Sequence, residues 1–226
     1  MKLYCIIMLA LLAAFQLNAQ YLSKPLVKQD VVFEEVNGKV AVEAEHFYKQ
    51  TKTDVRQWYI TSPGNIPDVQ PDHDGDHTQE ASNNAYIEIL PDTRVTHDDK
   101  LVHDQNFCNE SGKMAIVHYQ VKINNPGRYY VWVRAFSTGT EDNGIHVGFN
   151  DTWPANGQRM QWCEGKNEWT WASKQRTNEV HCGVPGEIYL DFEKAGIYDI
   201  QFSMREDGFE MDKFILTNNN EYDPEK

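Results

Sequence analysis

The sequence predicts an all-β protein, a β-sandwich with long inserted loops. Short runs rich in Val, Ile, Tyr, Phe and Trp alternate with clusters of Gly, Asn, Asp and Pro, which is how turns punctuate strands. No stretch places its apolar residues at helical spacing. The strand-like runs recur at intervals typical of sandwiches.

Taken in order, the chain opens with Lys2, an apolar block from Ile6 to Phe15, and Leu17-Asn18-Ala19 ahead of Gln20. This is the pattern of a secretory signal peptide over residues 1–19, so the mature protein is expected to be secreted, periplasmic or on the cell surface. No later segment approaches the roughly 20 apolar residues that cross a bilayer. The remainder, residues 20–226, is long enough for one sizeable core and is expected to form a single domain.

Strands are expected near 31–35, 39–47, 85–90, 114–124, 128–137, 144–149, 187–193, 196–204 and 212–217. Asn124-Asn125-Pro126-Gly127 reads as a turn between two long strands, and Glu193-Lys194-Ala195-Gly196 as another. Bulky groups occupy both faces of Tyr129 to Phe136, as in a central strand buried on its two sides. The stretches 61–80, 91–113 and 150–183 fit no strand, and loops of that length are commonly functional.

The formal charge is −13, or −14 once Lys2 leaves with the signal peptide. That balance argues against nucleic acid and anionic lipid surfaces as partners. Cys108, Cys163 and Cys182 remain after processing, an odd count for an oxidising compartment. Cys163 and Cys182 are the expected pair, because both flank an aromatic loop that a crosslink would stiffen, and Cys108 is then a buried thiol. Sequence alone does not fix that connectivity.

Acidic residues suggest a metal. In a strand, Glu43 and Glu45 share a face while Val42 and Ala44 pack behind them, and Asp212 opens the apolar run Lys213 to Leu216. Buried together, such carboxylates repel, and calcium, which takes about six to eight oxygen ligands, relieves them. The alternative is a solvated strand face. Asp72, Asp74 and Asp76, with Gly75 among them, form a second calcium-loop candidate that lacks the closing bidentate Glu.

Four pieces of the chain resemble the calcium-containing carbohydrate-binding modules of families 6 and 35. These are Val42 to Glu45, then His118 to Val121 with Pro126 to Arg134, then Gly165 to Trp171, and finally Ala195 to Phe202 with Asp207 to Leu216. They fall in family order over most of the mature chain, which is longer than the usual module. The resemblance implies a galactose-binding-like jelly roll with a structural calcium held by Glu43, Glu45 and Asp212.

It also implies a sugar cleft at one end of the sandwich. The residues carried over are Trp58 or Tyr59, Trp169 or Trp171, and Glu206 or Asp207. Trp153 and Trp162 in the third loop are further candidates, since flat aromatic faces stack on the apolar face of a pyranose. Arg205 is placed to clamp a hydroxyl or a uronate carboxylate, with a local ion pair as its alternative. The expectation is a non-catalytic protein that binds a polysaccharide or oligosaccharide within a polysaccharide-degradation system. The alternatives are a small jelly-roll polysaccharide lyase or glycoside hydrolase, and an adhesin-like module. No HExxH, GxSxG or P-loop motif occurs, and the histidines in loops are read mostly as surface residues.

Overall fold

The computed structural model describes residues 23–226; the expected signal peptide, residues 1–19, lies outside the described residues. Fifteen strands follow one another among them: β1 (Phe33–Glu34), β2 (Lys39–Glu43), β3 (Lys49–Thr51), β4 (Gln57–Thr61), β5 (Tyr86–Leu90), β6 (Ile116–Ile123), β7 (Gly127–Phe136), β8 (Gly144–Phe149), β9 (Met160–Gln161), β10 (Thr170–Ala172), β11 (Lys174–Gln175), β12 (Val184–Pro185), β13 (Tyr189–Phe192), β14 (Gly196–Met204) and β15 (Glu210–Thr217). They form two sheets, a jelly-roll sandwich. One runs β1-β6-β14-β8-β9-β11-β12 with β3 also on β6; the other runs β10-β7-β15-β5-β4, with β13 on β7 and β2 on β15.

The core lies between the sheets. Val117, Tyr119 and Val121 of β6, Val147 of β8 and Phe202 of β14 meet Val131 and Val133 of β7, Ile87 and Ile89 of β5, and Phe214 of β15. Tyr119 packs edge-on against Phe214, with ring centroids 4.9 Å apart, the offset geometry that aromatic quadrupoles favour.

Several expectations need correction. β7 is fully buried on one face, where Tyr129, Val131, Val133 and Ala135 point into the core; on the other, Tyr130, Trp132 and Arg134 are half-buried and only Phe136 is buried, beside Trp169. The first acidic strand ends at Glu43, and Ala44–His46 is a short 3-10 turn. There the Tyr119 hydroxyl donates to the Ala44 carbonyl at 2.7 Å, which takes the chain out of the ladder. Residues 57–61 form β4, paired antiparallel with β5. The long 150–183 loop contains the short strands β9, β10 and β11.

Candidate functional site

Burial sorts the aromatic candidates. Trp58 has no exposed surface: its indole N–H donates to the Ala115 carbonyl at 2.8 Å, and its ring meets Phe209 edge-on. It is core, with no face for a ligand. Tyr59 points to the other side of β4 and is covered beside Leu90. The indole of Trp153 lies against the bare backbones of Gly112 and Gly148, where a β-carbon would collide with it.

The polar sugar-binding candidates near the last strand are also internal. Arg205 pairs with Glu206, and its guanidinium lies 4.9 Å from the Phe107 ring centroid. Asp207 accepts from Arg56 at 3.0 Å and from the Thr93 amide and hydroxyl at 2.9 and 2.8 Å. Arg205, Glu206 and Asp207 are all buried, so the local ion-pair reading of Arg205 holds and the three hold loops together.

Two tryptophans meet at a groove. Trp162 and Trp171 line an opening of about 200 Å³ together with Cys163, Glu164, Lys174 and Glu225. Trp171 is half-buried on β10, whereas Trp162 backs the groove from the core, with its ring meeting Phe209 at 5.0 Å. Lys174 donates to Glu164 at 2.9 Å across the opening. Cys163 and Cys182 are disulfide-bonded, so the rim is fixed covalently, and Cys108 is a buried free thiol.

Trp169 lies beside a second cleft, of about 210 Å³, lined also by Asp76, His77, Gln79, Glu80, Phe136 and Asn167. It is mostly packed. It meets Tyr86 and Phe136 edge-on at 5.4 and 5.5 Å, and its indole N–H donates to the His77 carbonyl.

Glu43 closes β2, Glu45 lies in the turn that follows, and Asp212 lies on β15, the interior strand that β2 pairs with. Ser82 donates its amide to Asp212 at 2.8 Å and its hydroxyl to Glu43 at 3.1 Å, and Arg134 pairs with Asp212 at 2.6 Å. Oε2 of Glu43 and Oε2 of Glu45 are buried without hydrogen-bond partners. Burial first, with the charges of Glu43 and Asp212 adding to it, raises the Glu45 carboxyl to about 7. Two orphaned carboxylate oxygens are open to a cation, while Asp212 is already paired with Arg134.

The second metal candidate is rearranged. Asp76 is exposed and its carboxylate accepts from the Thr78 amide at 2.9 Å, and Asp72 accepts from the Asp74 amide at 3.1 Å. Asp74 instead turns inward to Glu88 and Glu210, with one carboxylate oxygen from each of the three within 4.8 Å of the others. Sequence reading missed Glu88 and Glu210. Each sits in a strand, but only the path of the 61–80 loop reveals that the outer face beneath is covered.

No protein-family model matches the chain. It is 61% identical over 215 residues to "Uncharacterized protein P23" of Formosa agariphila, a match covering 94% of this chain and 52% of that protein. The chain therefore spans about half the length of the curated relative it matches. Structural neighbours include the C-terminal CBM6 of the laminarinase LamC from Zobellia galactanivorans (TM-score 0.39, 11% identity, 80% of this chain and 99% of that one). A family 35 carbohydrate-binding module from Clostridium thermocellum is another (TM-score 0.41, 13% identity, 79% and 96%). Nearly the whole chain is thus similar to half of a longer uncharacterized protein, and carbohydrate-binding modules of families 6 and 35 are among its structural neighbours.

Proposed function

We propose that the protein is a non-catalytic carbohydrate-binding module that holds a polysaccharide or oligosaccharide in the Trp171 groove and is stabilised by calcium at Glu43, Glu45 and Asp212. The observation that carries the reading is Trp171, a half-buried indole beside the Glu164 and Lys174 pair in a disulfide-framed groove. An apolar ring stacks on a pyranose and flanking polar groups bond its hydroxyls. The motif resemblance over 42–45, 118–134 and 195–216 supports it, and an exported protein in a polysaccharide-degradation system is the setting it implies. Calcium would tie β2 to β15, which pair directly through Glu43 and Lys213.

The test is affinity electrophoresis against a panel of polysaccharides, with and without chelator, alongside assays for reducing ends and unsaturated products. Trp171→Ala is expected to lose about 1–3 kcal/mol of binding, roughly tenfold or more in affinity, with an unchanged far-UV spectrum. Undiminished binding by Trp171→Ala moves the cleft elsewhere. Turnover of any glycan by the wild type removes the non-catalytic reading.

A further inference from the structure

Beneath the Trp169 cleft lies a pairing that sheets ordinarily avoid. Glu88 of β5 and Glu210 of β15 are direct cross-strand partners, and like charges directly opposite destabilise a ladder. They are only 2% and 1% exposed, so water does not relieve the repulsion. Asp74 descends on them from the loop to complete the three-carboxylate set. Asp72 and Asp92 deepen the negative field at both glutamates, and Asp142 adds to it at Glu210. Nearby arginines are committed elsewhere: Arg56 to Asp207, Arg94 to Glu141 and Arg134 to Asp212.

A second observation points to a missing partner. Glu88 Oε1 is buried with no hydrogen-bond donor, and so is Asp74 Oδ2. A buried acceptor left without a donor bears its full desolvation cost, and here two carboxylates of one cluster do so. Something that accepts lone pairs belongs between them.

We propose that Asp74, Glu88 and Glu210 bind a hard divalent cation of the calcium type, with His77 as the positioning residue for Glu210. Oxygens bound to one calcium stand no farther apart than about 4.6–5.2 Å, twice the ~2.3–2.6 Å bond, and every pair in this set lies within 4.8 Å, so none is too far apart for one ion to bridge. Carboxylate-only chemistry selects a hard ion over zinc or copper. His77 Nδ1 lies 2.9 Å from both oxygens of Glu210, the kind of outer hydrogen bond that orients a metal-binding carboxylate. Because Asp76 and His77 also line the Trp169 cleft, the ion fixes that wall. The inference stands independently of sugar binding and of the Glu43, Glu45 and Asp212 site.

The experiment is elemental analysis of the full chain, stripped with chelator and then dialysed against calcium chloride, for the wild type, Glu88→Gln, Glu45→Gln and the double variant. The expected result is two calcium equivalents in the wild type, one in each single variant and none in the double. Terbium substituted for calcium should luminesce on tyrosine excitation, sensitised at this site by Tyr86, whose hydroxyl feels the charges of Glu210 and Glu88, and at the other by Tyr119, which bonds the Ala44 carbonyl; emission should fall partly in each single variant and vanish in the double. Full calcium content in Glu88→Gln, or a metal-free wild type, overturns the proposal. One equivalent lost only in Glu45→Gln removes this site and leaves the other; one lost only in Glu88→Gln does the reverse. Should Glu88→Gln fail to fold, Asp74→Asn on the covering loop gives the same readings.

Discussion

His146 is fully buried on β8, and both ring nitrogens are committed. Nε2 donates to the Cys108 carbonyl at 3.1 Å and Nδ1 accepts from the Arg159 amide at 3.0 Å, the pattern of a neutral ring. Burial foremost lowers its pKa to about 3. A depressed value means its contribution to stability is full above the unfolded value of about 6.5 and is lost as pH falls toward the folded one. Urea midpoints of the wild type should therefore decline across that window, and His146→Gln should flatten the decline.

Asp92 has the opposite sign. Burial first, then Asp207 and Asp74, raise it to about 8, so its contribution is present below the unfolded value and is lost as pH rises through the folded one. In chelator-treated protein Asp92→Asn should raise the melting temperature at about pH 9 and leave it unchanged at about pH 4; an equal effect at both would refute the assignment. Neither residue was legible in the sequence. The strand holding His146 was, but the loop carbonyl of Cys108 that covers it comes from 38 positions away.

At the level of elements, β8 and β14 match their expected spans residue for residue, because alternation and flanking turns mark them. β4 escaped because Trp58, Tyr59, Ile60 and Thr61 are all buried, one face by the core and the other by loops, which leaves no alternation to read. The opposite error befell β7, where aromatic side chains on the outer face imitated a doubly buried strand. The crosslink between Cys163 and Cys182 closes a segment of 19 residues, a length for which chain-entropy arguments give about 3 kcal/mol. Replacing both with Ser should lower the urea midpoint accordingly. It should also weaken glycan binding beyond the Trp171 groove's share of that loss; binding equal to that of the wild type would show that the rim needs no crosslink.

Across the whole molecule, the acids of the −13 chain do not all lie on the surface. Glu45, Glu88, Asp92, Glu206, Asp207, Glu210 and Asp212 are inside. A ligand bound by the folded state alone adds about 2.7 kcal/mol at a hundredfold excess over Kd, so EDTA should lower the melting temperature of the wild type. The double variant Asp212→Ala with Glu88→Gln should show no EDTA response, and a wild-type melting curve unmoved by thorough chelation would defeat both cation assignments. That Glu43 and Asp212 lie on paired strands was legible in the sequence, β2 pairing with β15, but the turn that takes Glu45 off the strand face was not. The Trp171 groove was legible only in part: Trp162, Trp171 and the disulfide were among the expected residues, but which ring faces outward depends on how the 150–183 loop returns to the sheet.

Glu225, next to the last residue, lines the groove beside Trp171. Anything appended after Lys226, whether an affinity tag or a following segment of a longer polypeptide, begins at the mouth of that opening. A carboxy-terminal hexahistidine tag should then compete with glycan for the groove, and proteolytic removal of the tag should restore affinity without altering the melting temperature.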